Sequence, residues 1–225
     1  MEKQKLIQIF DRQANQYDKK REGPKVKQWR QRLLSDTKGE VLELAVGAGA
    51  NFPFYPPGVQ VTAADFSPAM LEKAQRAARE HRLDARFMCA DIEELDFAAH
   101  SFDTVVSTLS MCSYDQPRMV LEKMKRWCRP DGSILLMEHG ISSYRVLSAV
   151  QKALDPLLYR AYGCHHTRDI QELMREAGLE IVKAESYWLD MVQLVWARPG
   201  ALGEQGDDQR SWGSSRLSVD MEERL

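Results

Sequence analysis

Val41-Leu42-Glu43-Leu44-Ala45-Val46-Gly47-Ala48-Gly49-Ala50-Asn51 is the stretch on which the reading of this chain turns. Val41, Leu42 and Leu44 form the short apolar run of a buried strand, and Gly47 and Gly49 follow where that strand empties into a loop. Glycines there let backbone N–H groups approach a ligand with no Cβ in the way. Glu43 falls near the strand's carboxyl end, the edge at which open α/β sheets bind their ligands. A Gly-x-Gly pair by itself is also what an ordinary turn looks like, so the stretch has to be read with its neighbours.

The first neighbour is Val59 to Asp65, a second apolar run that ends in a carboxylate. Its distance from the loop suits an acidic residue that holds a ribose diol about 20 residues on. Ser67-Pro68 then opens a helix over 68–81, so Asp65 also reads as a first-turn acid, and both roles can hold at once. A third strand over 85–89 leads into Ala90-Asp91-Ile92-Glu93-Glu94-Leu95. A fourth begins at Phe102-Asp103-Thr104-Val105-Val106-Ser107.

In this order the four segments resemble the class I S-adenosylmethionine-dependent methyltransferases, over roughly residues 10–198. The nearest competitor, an NAD-binding fingerprint, has a fuller Gly-x-Gly-x-x-Gly loop and lacks the later segments. The resemblance implies a Rossmann-like α/β fold with a seven-stranded sheet whose last strand is antiparallel. It implies a domain over 1–198, with an N-terminal helical lid over 1–36 and a helical insertion over 141–166 before the sixth strand. The tail, 199–225, is Gly, Ser, Gln and charge, and predicts disorder.

The resemblance also assigns residues. Glu43, Ala45, Gly47, Gly49 and Asn51 would surround S-adenosylmethionine, which leaves as S-adenosylhomocysteine. Asp65 would take the ribose hydroxyls, with Phe66 and Met70 beside it. Asp91 would accept from the adenine amino group, a donor, while Ile92 packs on the ring; Asp91 reads equally as a cap for 92–95. Ser107, Thr108 and Cys112 would line the methyl-donor side. Phe10 to Tyr17 resembles the entry segment of the ubiquinone/menaquinone-type enzymes, where Tyr17 would reach over the cofactor; packing within a helix is its other reading.

Two details narrow or strain the match. Asn51-Phe52-Pro53-Phe54-Tyr55-Pro56-Pro57-Gly58 carries three prolines and permits at most a turn or two of helix. Together with Met137-Glu138-His139-Gly140 it resembles the branch of bacterial phosphatidylethanolamine N-methyltransferases and animal thiol methyltransferases. The family's first loop glycine is Ala45 here. If that position needs a positive φ, alanine is strained by roughly 1 kcal/mol or more.

Further on, 116–128 predicts a helix stopped by a turn at Arg129-Pro130-Asp131-Gly132, and 134–138 predicts the fifth strand. Val146, Leu147, Val150, Leu154, Leu157 and Leu158 have helical spacing, which Asp155-Pro156 should break into a helical pair. Thr167 should cap a helix through Ala177, ended by Gly178. A terminal hairpin over 179–187 and 191–197 closes the pattern.

A net charge of −2 argues against a generic nucleic-acid binder. Residues 1–32 are basic, with ten Lys/Arg against four Asp/Glu, which suits an anionic membrane surface or a solvated helix face. Cys89, Cys112, Cys128 and Cys164 fall singly and form no disulfide framework; Cys89 and Cys112 read as core or pocket residues. No metal is expected at Cys164-His165-His166, because adjacent side chains on an extended chain point to opposite sides. With neither a leader nor a long apolar run, a cytoplasmic or membrane-peripheral location is the expectation. His139 and then His165 are the candidate catalytic bases. The acceptor is expected to be a small molecule or lipid, a phospholipid amine first, then a thiol or quinone-like phenol. A cofactor-binding protein without turnover is the rival class, and oligomeric state is left open.

Overall fold

The computed structural model describes residues 3–17 and 22–200, with the side chains of 15–17 left aside; the expectation for 201–225 falls outside them. The chain runs α1 (Lys3–Tyr17), α2 (Pro24–Leu34), β1 (Glu40–Leu44), a single 3₁₀ turn (Phe52–Phe54), β2 (Gln60–Asp65), α3 (Pro68–His81), β3 (Asp84–Cys89) and β4 (Phe102–Thr108). It continues through α4 (Pro117–Trp127), β5 (Cys128–His139), α5 (Arg145–Tyr162), α6 (Ile170–Glu176), β6 (Leu179–Tyr187) and β7 (Val192–Pro199). Among the described residues seven strands form one sheet, in the order β3-β2-β1-β4-β5-β7-β6. β1 to β5 pair in parallel, and β7 runs antiparallel to both its neighbours. The expected α/β architecture with its reversed last strand is therefore present.

Side-chain alternation along each strand divides the core in two. Leu42, Leu44, Val105, Ile134 and Leu136 face α4 and α6, meeting Val120, Leu121, Met124, Trp127, Ile170 and Met174. Val41, Val106, Leu135 and Met137 face the other way, toward Trp29, Leu33 and Leu34 of α2 and Leu71, Ala74 and Ala78 of α3. Each large apolar side chain buried in these layers contributes about 1.5–3 kcal/mol. Because both faces are covered, the strands read as near-continuous apolar runs, which is what made them legible in the sequence.

The order of strands reverses between β1 and β4, so the loops after them leave the same edge in opposite directions and open a crevice. Leu44, Asp65, Cys89, Thr108 and His139 all end their strands at that edge.

Several local expectations need correction. α5 is one continuous helix with Pro156 inside it, not a broken pair. The proline removes one ladder hydrogen bond, but no residue of α5 is buried, so water can take the released carbonyl. Arg129–Gly132 is not a separate turn. It is an irregularity within β5, where Phe102 pairs with Cys128 and Thr104 already pairs with Ser133. α6 starts at Ile170 and is capped by Asp169, whose carboxylate accepts from the Glu172 N–H, rather than by Thr167. Cys89 is exposed, while Cys112 is buried as expected.

Ala45 adopts φ = 50°, the left-handed region, so the strained alternative is the one realised. Relief of that strain gives a direct test. Ala45→Gly should raise the free energy of unfolding by about 1 kcal/mol in urea titration. An unchanged or lowered midpoint would mean that packing of the alanine methyl group outweighs the backbone strain.

Candidate active site

The first loop is fixed by buried polar contacts. Glu43, at the end of β1, is 1% exposed. Its Oε1 accepts from Asn51 Nδ2 (2.8 Å) and its Oε2 from the Tyr55 hydroxyl (2.8 Å). Arg30, equally enclosed on α2, donates to Asn51 Oδ1 (2.6 Å) and Thr108 Oγ1 (3.0 Å). Its other donors form a bidentate pair with Glu22 (2.6 and 2.8 Å). Glu43 and Asn51 are thus brought together as the sequence grouped them, and Thr108, read there with Ser107 and Cys112, joins them. Arg30 and Tyr55 were not anticipated. Arg30 sits beside Trp29 in a strongly charged helix, and sequence has no mark that separates a buried arginine from a solvated one.

Asp65 stands at the tip of β2. Its Oδ2 accepts from the Gly47 N–H (2.9 Å) and its Oδ1 from the Ser67 N–H (2.8 Å). Burial pushes its carboxyl pKa up, against the opposing pull of those two N–H groups. The Phe66 N–H also bonds the carboxylate, and of its four or so acceptor sites these three donors leave capacity for a ligand hydroxyl. Gly47 has φ = 56° and nothing within 4 Å of where a Cβ would stand, so open space faces the loop there. At Gly49 a Cβ would meet the Phe52 ring at 2.8 Å. That glycine is required by packing.

α1 lies across this edge. Ser67 Oγ donates to Asp11, Phe10 meets Phe66 edge-on at 5.4 Å, and Lys3 Nζ is 2.6 Å from Asp91 and 3.0 Å from Glu93. Asp91 also accepts from the Glu93 N–H (3.0 Å), the capping arrangement. Ile92, which follows it, and Met70 of α3 are both buried. Tyr17 ends α1, but its side chain is outside the described residues.

The other half of the edge is built on Glu138, which is fully buried. It accepts from Ser107 Oγ (2.7 Å), the Ser110 N–H (2.9 Å) and the Met111 N–H (3.1 Å), and so fixes the loop that carries Cys112. Burial drives Glu43 and Glu138 each to a pKa of about 7, despite their donors. Glu138 was missed as a site residue, although a lone acid closing the apolar run Ile134–Met137 is a visible signal.

Cys112 meets Cys164, from the segment after α5, with the sulfurs 3.0 Å apart. The Cys112 thiol donates, which holds its proton and lowers the pKa of Cys164; His139 adds to that lowering. His139 stacks on His166 with ring centroids 4.4 Å apart, and its Nδ1 is buried with no hydrogen-bond partner. Burial pushes His166 down, and His139 beside it acts the same way. His165 is held differently. Its Nδ1 pairs with Asp155 (2.7 Å), its ring stacks on Tyr159 at 3.9 Å, and its N–H donates to the Cys112 carbonyl (2.9 Å). Asp155, beside the proline that should have broken the helix, is what anchors this segment.

Comparison with known proteins agrees with this geometry. Residues 41–132 match the family of methyltransferase domains. A thiol S-methyltransferase of Rattus norvegicus is 38% identical over 175 residues, covering 74% of this chain and 67% of that protein. A phosphatidylethanolamine N-methyltransferase of Cereibacter sphaeroides is 34% identical over 147 residues, covering 64% of this chain and 72% of that protein. A solved S-adenosylmethionine-dependent methyltransferase of Thermotoga maritima superposes with a TM-score of 0.63 at 18% identity, covering 86% of this chain and 99% of that one.

The buried glutamates imply a pH response. A carboxyl pKa raised from 4.5 to about 7 means that the folded state holds the proton more tightly than the unfolded chain does. Glu43 and Glu138 therefore contribute stability that is complete below pH 4.5 and lost as pH rises through about 7. His166 and Cys164, both lowered, act in the opposite sense. The Glu43 share is isolated by Glu43→Gln: the variant should lose less stability than the parent between about pH 5 and 8 in urea titrations. Equal slopes in both proteins would refute it.

Proposed function

This chain belongs to the class I S-adenosylmethionine-dependent methyltransferases, and from that premise we propose that its acceptor is the sulfur of a small apolar thiol. It is an enzyme of small-molecule methylation, and its cofactor is S-adenosylmethionine. The first-loop residues fit that cofactor: space lies open at Gly47, and Asp65 keeps acceptor capacity for a ribose hydroxyl. Asp91 and Ile92 would take the adenine, with Lys3 giving up its contact or sharing it. Glu43, Asn51 and Thr108, pinned by Arg30, would shape the amino-acid end of the site.

S-adenosylmethionine, when bound, supplies a methyl group on a positively charged sulfur. The protein's task is to hold an acceptor lone pair in line with that group and to bring it there ionised. One observation carries the choice of sulfur over nitrogen: the carboxylates near His139 are already engaged. Glu138 is held by Ser107, Ser110 and Met111, and Asp155 by His165, the His166 N–H and Thr167, so both are committed to fixing the loops rather than to a ligand. A protonated amine would want a free carboxylate there. The imidazoles of His139 and His166 suit an ionising thiol instead, as does the nearby Arg168, which donates to the Met111 and Tyr114 carbonyls. The names of the Rattus norvegicus relative and its human counterpart, 35% identical, support the same reading.

A second reading, the phospholipid amine, has its own observation. α5 turns an apolar stripe outward: Val146 is 81% and Leu157 66% exposed, with Val150 and Leu154 between them. Trp188 and Leu189, exposed at the β6–β7 tip, adjoin it, since Ser142 donates to the Leu189 carbonyl. Among the described residues no helix is long and apolar enough to cross a membrane. Contact with a lipid surface would therefore be through this stripe. α1, where charge placed such contact, buries Leu6 and Ile9 against the domain. Both readings share an apolar acceptor reached past α5.

Calorimetry should first show S-adenosylhomocysteine binding that Asp65→Ala weakens about a hundredfold, the loss of a charge-assisted hydrogen bond. Retained affinity in that variant would detach Asp65 from the cofactor. A product assay should then find methyl thioether from an apolar aryl or alkyl thiol, with kcat falling about 10²–10⁴-fold in His139→Gln. Methylated phosphatidylethanolamine from vesicles, with thiols untouched, would replace the thiol reading with the lipid one.

A further inference from the structure

Sequence offered Cys164-His165-His166 as adjacent residues with no partner. Folding supplies partners from two other segments. Cys112 comes from the loop after β4, His139 from the end of β5, and Cys164 from the segment between α5 and α6. Their ligand atoms all lie within 4.8 Å of one another, and the two sulfurs are 3.0 Å apart. Zinc bonds of about 2.3 Å to sulfur and 2.0–2.1 Å to nitrogen, arranged tetrahedrally, hold such atoms roughly 3.5–3.8 Å apart. The group is therefore within small side-chain adjustments of a coordination sphere.

A second observation points the same way. His139 Nδ1 is a buried polar atom with no hydrogen-bond partner, and such an orphan calls for a ligand of its own. The donor set is also chemically selective. Two thiolates and an imidazole are soft-to-borderline ligands that favour zinc over the hard cations. Two thiolates neutralise a divalent ion, so the complex carries no net charge into a region where Cys112 is buried.

We propose that Cys112, His139 and Cys164 form a zinc site with an open fourth position that receives the acceptor sulfur. This rests on the thiol reading for its fourth ligand only. Among the described residues the group has three members, and three protein ligands with one exchangeable position is the pattern of catalytic rather than structural zinc. As the ion binds, the two cysteine protons pass to water. An acceptor thiol then displaces the water at the fourth position and releases its proton to solvent. Its sulfur forms the new bond to the methyl carbon while the methyl–sulfonium bond breaks, and that electron pair stays on the sulfur of S-adenosylhomocysteine. His139 is a ligand in this arrangement, and ionisation on the metal replaces proton transfer to its ring.

The test uses the full chain, purified under reductant, stripped with a chelator and reloaded with zinc or with cobalt(II) as a spectroscopic substitute. One zinc per chain should survive desalting, and the cobalt form should show thiolate charge-transfer absorption with tetrahedral visible bands. Cys112→Ser, Cys164→Ser and His139→Gln should each weaken zinc by more than about a hundredfold, beyond the loss of an outer-shell partner. Cys89→Ser, at an exposed position, should leave it unchanged. Adding an apolar thiol should shift the visible bands of the parent protein, which needs no variant to fold. No retained zinc and no thiolate absorption overturn the site, as does a Cys112–Cys164 disulfide that must form for activity. Thiol methylation by metal-free protein at an undiminished rate would return His139 to the role of base. Retained zinc with no thiol methylated would support the ion's three protein ligands and remove the acceptor reading instead.

Discussion

The buried guanidinium of Arg30 holds the switch-point crevice together. It reaches Glu22, Asn51 and Thr108 at once, and through Asn51 it is coupled to Glu43 and Tyr55. Helix α2, the first loop, and the ends of β1 and β4 are thereby fixed to one planar group. A parallel sheet needs some such device. Its strands end together, and the loops that leave them carry backbone and side-chain polar groups that the apolar core cannot satisfy. Without that donor, Asn51 Oδ1 would be a buried acceptor with no partner, at a cost of about 1–3 kcal/mol. With it, Asn51 is fixed and in turn holds Glu43.

Glu138 does for the far half of the edge what Arg30 does for the near half. Its carboxylate collects Ser107, Ser110 and Met111, so the loop bearing Cys112 is hung from β5 rather than left to its own conformation. Asp155 then brings the segment after α5 to that loop through His165 and the His166 N–H. This half of the edge is assembled from three distant stretches by buried or half-buried carboxylates. This explains why the candidate His165 is so firmly paired while His139 keeps a ring nitrogen without a partner.

How much of this was legible follows from the range of the interactions. Asp65 was identifiable because a short-range pattern, strand then acid then Ser-Pro, fixes its place within a few residues. The strands of the core were readable because both faces of a parallel sheet are buried, and so were Gly47, Gly49 and Gly178, which adopt the positive φ expected of turns and caps. Pro156 was misread because local propensity says that proline ends a helix, whereas α5 lies at the surface with no packing to be disrupted. Thr167 was misread because two capping residues stand close together, and only the chain path chose Asp169.

The sequence by itself determined the architecture and the class of cofactor. These depend on hydrophobic alternation and on turn chemistry written over ten to thirty residues. Ala45 could be flagged from sequence, but only the backbone decided that it takes a left-handed φ. Only the tertiary structure decided which titratable groups meet. Arg30 to Thr108, Glu138 to Ser107, and Cys112 to Cys164 and His139 are contacts between segments tens of residues apart. The register of one strand against another sets them, and no local pattern records it. Two sulfurs and an imidazole that are unremarkable in the sequence become one group because β4, β5 and the end of α5 arrive at the same edge.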